Sequence, residues 1–96
     1  MPRSLIERRL TDVASRLRSA REELAVIDEQ LAVFNDAADD ARLRSLVSET
    51  PMAHREYTEA QRHADAMARS QRLLATQIAE LNASQDELLD RLVVSD

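Results

Sequence analysis

Apolar residues recur along the first part of the chain at Ile6, Leu10, Val13, Leu17, Ala20, Leu24, Ile27, Leu31, Phe34 and Ala38, in unbroken alternation of four and three. That spacing is the seam of a long helix lying against another helix. With Leu10 at heptad position a, Val13 falls at d, and Arg and Glu are frequent among the remaining positions. Pro2 stands where a helix starts without losing a hydrogen bond, and Ser4 with Glu7 three residues on offers a capping box as an alternative start.

Over residues 35–40 the chain turns acidic and the seam thins to Ala38, Ala41 and then Ser45, while Leu43, Leu46 and Val47 lie off it. Either the helix continues with these three facing outward, or it kinks near 36–40 and turns them inward; continuation is the favoured reading. The clearest break is Ser48-Glu49-Thr50-Pro51. Proline disfavours the α conformation at Thr50 and fits the first helical position itself, which makes Thr50 the N-cap of a second helix. The expected elements are therefore helix one over about 3–47, a turn over about 48–50 and helix two over about 51–93, forming a single hairpin domain.

Helix two carries its own seam at Ala53, Tyr57, Ala60, Ala64, Met67, Gln71, Leu74, Ile78, Leu81, Gln85, Leu88 and Leu92. If the chain folds back on itself, residues at one height have numbers adding to a constant. The two seams meet this condition: Ile6 with Leu92, Leu17 with Leu81, Phe34 with Ala64 and Ala41 with Tyr57 all share the same sum, with the fold centre at Glu49. Each pair matches an a with a d position, and small residues stand opposite large ones, which keeps the helix spacing even. The predicted fold is all-α: a long antiparallel two-helix coiled-coil hairpin that self-associates into a four-helix bundle.

Composition narrows the class further. The 96 residues include no Gly, Cys or Trp and a single Phe and Tyr, so the turn chemistry and aromatic content of sheets are missing. Without cysteine there is no disulfide framework or thiolate metal site. The first residues become charged before an apolar run of signal-peptide length develops, and no later run is long enough to span a bilayer, so a cytoplasmic protein without membrane association is expected. All basic side chains are Arg, as a GC-rich codon bias produces. The net charge of −5 disfavours nucleic acid as a partner. The basic run of Arg3, Arg8, Arg9, Arg16, Arg18 and Arg21 does not reverse this, because the fold-back brings Glu80, Asp86, Glu87 and Asp90 to the same end and no aromatics are interleaved for base stacking.

No catalytic residue, cofactor or metal site is expected. His54 and His63 are nine apart, not at the spacing that places two ligands on one helical face, and Glu59 with His63 is an ordinary solvated pair. There is no Gly-rich phosphate loop, and two helices form no pocket that excludes water. Gln71 and Gln85 interrupt the seam; they either fix the register or bend their amides to solvent.

Two surfaces remain as candidates for partner binding. Val26 and Val33 on helix one and Ala66 and Leu73 on helix two sit at c positions on one side of the hairpin, where they offer a second burial surface for another copy of the chain or for a different protein. At the turn, Leu43, Leu46, Val47 and Met52 lie among Asp36, Asp39, Asp40 and Glu49. These form either an apolar plug under an acidic rim or a recognition tip in which apolar residues anchor and acidic ones select a basic surface.

Arg55-Glu56-Tyr57 followed by Ala60 is faintly similar to a segment of the coiled-coil arm of Gre-type transcription-cleavage factors, which reaches into the secondary channel of RNA polymerase. The family's acidic tip motif is missing here, and no family is assigned. The expected function is a non-enzymatic interaction module, an adaptor, scaffold or spacer acting as a homodimer or with another protein. The alternative is a small regulator of a large enzyme such as RNA polymerase, with the acidic tip as effector.

Overall fold

A computed structural model describes residues 1–95 and contains two helices, α1 (Arg3–Ser48) and α2 (Pro51–Val94), arranged as a helical hairpin. Helix α1 runs unbroken through the acidic stretch and ends one residue later than expected, which leaves Glu49 and Thr50 as the whole connection. Ser4 does not cap: α1 begins at Arg3, the Pro2 carbonyl accepts the Leu5 and Ile6 N–H groups at 3.1 and 3.2 Å, and Glu7 binds Arg3 Nε at 3.1 Å.

The turn compensates for the lack of glycine in the chain. Glu49 adopts a φ of 51° and donates its N–H to the Ser45 carbonyl at 3.0 Å, closing α1 with a left-handed C-terminal cap. A residue with a Cβ holds this conformation at a cost of about 1–2 kcal/mol. Thr50 Oγ1 then accepts the Ala53 N–H at 3.1 Å, so the expected N-cap opens α2.

Packing divides the chain into two compact units. One joins Met1–Leu24 to the segment from Leu73 onward; the other is Ala25–Arg72. The first holds a cluster of Ile6, Val13, Leu17 and Leu88, flanked by Leu10, Ile78, Leu81 and Leu92. Ile6 is only 1% exposed, and full burial of such a side chain contributes about 1.5–3 kcal/mol. In the second unit the buried seam residues are the small Ala38, Ala41, Ala53 and Ala64, with Ile27, Leu31, Phe34, Tyr57 and Met67 half-buried. No seam position of either helix, from Ile6 to Ser45 or from Ala53 to Leu92, is exposed.

Candidate interaction surface

The two sides of the seam are not equivalent. On the e side, some residues beside the seam are partly covered, Ala14 and Asn82 in the first unit and Gln61 and Ala68 in the second, while Arg21, Asp28, Asn35 and Ala75 are exposed. Asn82 Oδ1 accepts from Arg21 at 3.2 Å, and Gln71 Nε2 donates to Asp28 Oδ1 at 2.6 Å. The g side stays open. In the first unit a groove of about 570 Å³ is bordered by Arg16, Glu23, Gln77 and Glu80. In the second, a groove of about 480 Å³ lies against Glu29, Gln30, Val33, Phe34 and Met67. The g residues of the second unit, Gln30, Ala37, His63 and Ser70, are all exposed, whereas Gln61 and Ala68 on the e side are half-buried.

The c positions border this open side. In the unit Ala25–Arg72, Val26 and Val33 are 52% and 67% exposed, and Ala66 is exposed. In the other unit, Leu73 is 69% exposed. An isolated exposed valine is ordinary, but repeated apolar residues at one heptad position beside an open groove form a second apolar stripe on a helix whose first stripe is already covered.

At the turn, Leu43, Leu46, Val47 and Met52 are all exposed, Val47 by 85%. They form no plug. Continuation of α1 to Ser48 turns Leu43, Leu46 and Val47 away from α2, and Asp36, Asp39, Asp40 and Glu49 are exposed around them.

Sequence reasoning missed the partners of two polar residues. Gln71 is half-buried and its amide bends out to the surface on the e side, where it meets the exposed Asp28, one step off its layer. His63 stacks on Phe34 with ring centroids 6.0 Å apart and 28° between planes, an arrangement readable from their near-equal height in the hairpin. Of the basic run at the start of α1, Arg3 pairs with Glu7 at 3.1 Å and Arg16 with Asp12 at 3.2 Å, both within the helix, while on α2 Arg91 pairs with Glu87 at 2.6 Å. Among the described residues, no group of three or more His, Cys, Asp or Glu is placed to hold a metal ion, and no helix is long and apolar enough to cross a membrane.

No family model matches the chain, and neither a curated protein nor a solved structure does.

Proposed function

We propose that this protein is a non-enzymatic coiled-coil interaction module, an adaptor or spacer that works as a homodimer. The observation that carries this reading is the exposure of Val26 and Val33 at successive c positions of an arm whose a and d positions are all covered. Two helices alone leave such a stripe wet, and a second pair of helices removes it from water. Sedimentation equilibrium of the full chain over a wide concentration range tests the reading. A dimer that Val26→Glu or Leu73→Glu converts to a monomer of unchanged helicity supports it. A wild-type monomer at all concentrations, or a dimer indifferent to both substitutions, rejects it.

The exposed apolar residues at the turn favour a second reading. Leu43, Leu46, Val47 and Met52 beside Asp39, Asp40 and Glu49 have the make-up of a recognition tip, as in a small regulator that inserts into a large enzyme such as RNA polymerase. Replacement of Asp39, Asp40 and Glu49 by Ala removes the effect on transcription under this reading and leaves binding by the coil intact. A triple variant that behaves as wild type rejects it.

A further inference from the structure

The charges bordering the open face of the unit Ala25–Arg72 are distributed unequally between the two arms. Over residues 26–38, α1 carries Asp28, Glu29 and Asp36 and no basic residue; over the facing 60–72, α2 carries Arg62, Arg69 and Arg72 against Asp65. Asp28 is taken by Gln71, and Arg72 also has a partner. Glu29, Asp36, Arg62 and Arg69 occupy the f positions, next to the c residues and on the outer edge of each arm. All four are exposed, and none forms an ion pair among the described residues. Within one chain they cannot meet, since f points away from the other helix. The open face therefore has an apolar centre of Val26, Val33 and Ala66, an acidic edge on α1 and a basic edge on α2.

We propose that this face binds a second copy of the chain about a two-fold axis parallel to the arms, so that both turns lie at the same end. The inference rests on the homodimer reading above and adds its geometry. Two face-to-face arrangements with two-fold symmetry are available to a hairpin. An axis across the arms lays α1 on the partner's α1 and α2 on the partner's α2, bringing acidic edge to acidic edge and basic to basic. An axis along the arms lays α1 on the partner's α2. Because such an axis preserves height, Glu29 then stands level with the partner's Arg69 and Asp36 with the partner's Arg62. Val33 meets the partner's Ala66, large against small, and the small Ala37 and Ser70 at g permit close approach. Surface ion pairs add little affinity individually, but like charges placed together weigh against an arrangement: the crossed axis does this at the f residues of both arms, whereas the parallel axis does it beyond residues 26–38, where Asp40 comes level with the partner's Glu59.

The chain has no cysteine, so a single spin label at Ser48→Cys reports the geometry directly. The proposal expects a turn-to-turn distance of two to three helix diameters, roughly 20–35 Å; the crossed arrangement, with its axis between Val26 and Val33, puts the labels roughly 55 Å apart. It also expects Glu29→Arg with Asp36→Arg to weaken the dimer about tenfold, and Arg62→Glu with Arg69→Glu to do the same. The two variants mixed should form a heterodimer at wild-type strength. A dimer that Val33→Glu dissolves but whose labels are far apart, or that the charge reversals leave unchanged, overturns this arrangement and leaves the homodimer reading standing. A dimer insensitive to Val33→Glu, or no dimer, overturns both.

Discussion

Gln71 Nε2 donates a 2.6 Å hydrogen bond to Asp28 Oδ1, joining α2 to α1 through a side chain that interrupts the apolar seam. Its acceptor is exposed, so Asp28 finds water readily if the partner is removed. Gln71→Leu should therefore raise stability by about 1 kcal/mol through added apolar burial, seen as a higher urea midpoint with an unchanged slope. A lowered midpoint would mean that the hydrogen bond outweighs the buried area.

The two caps at the turn should respond in opposite directions. Glu49→Gly relieves a left-handed residue and should stabilise the chain by roughly 1 kcal/mol, which is a rise of several degrees in Tm for a chain of this size. Thr50→Ala removes the acceptor of the Ala53 N–H and should cost about 1 kcal/mol. Thermal unfolding followed by circular dichroism measures both.

Seam substitutions should divide by size and burial. Leu17, 2% exposed within the leucine-rich unit, should lose about 3 kcal/mol on conversion to Ala. Ala64→Leu in the other unit should lose about 1–3 kcal/mol by overpacking, because Ala64 is buried at a level where Phe34 already fills the space. Equal tolerance of both changes in urea denaturation would contradict the packing described here.

Amide hydrogen exchange should distinguish the two units. The unit built on Ile6, Val13, Leu17 and Leu88 buries larger side chains than the unit Ala25–Arg72, whose fully buried residues are alanines. Exchange should be slower at residues 10–20 than at residues 36–46, although both are helical. Uniform protection along α1 would show that the chain opens only as a whole.

At the turn, Leu46→Arg and Val47→Lys should change stability by no more than about 0.5 kcal/mol, because both residues are already solvated. A large loss in either variant would show that the turn is covered in solution.

Most of the architecture was legible in the order of residues, for reasons that are local. A four-three alternation from Ile6 to Ala41 can be buried only on one stripe of a helix, Thr50-Pro51 can only interrupt and restart one, and two seams with a common layer sum can align in only one antiparallel register. The left-handed turn residue, the Gln71–Asp28 bond, the Phe34–His63 stack and the difference between the partly covered e side and the open g side were decided by the tertiary structure. Helical periodicity treats the two flanks of a seam alike and places a side chain only at a position. Which flank closes, and which way a long side chain turns, depends on the size and polarity of what faces it across the hairpin: Ala68 and Gln61 beside one edge of the seam, Ser70 and Gln30 beside the other.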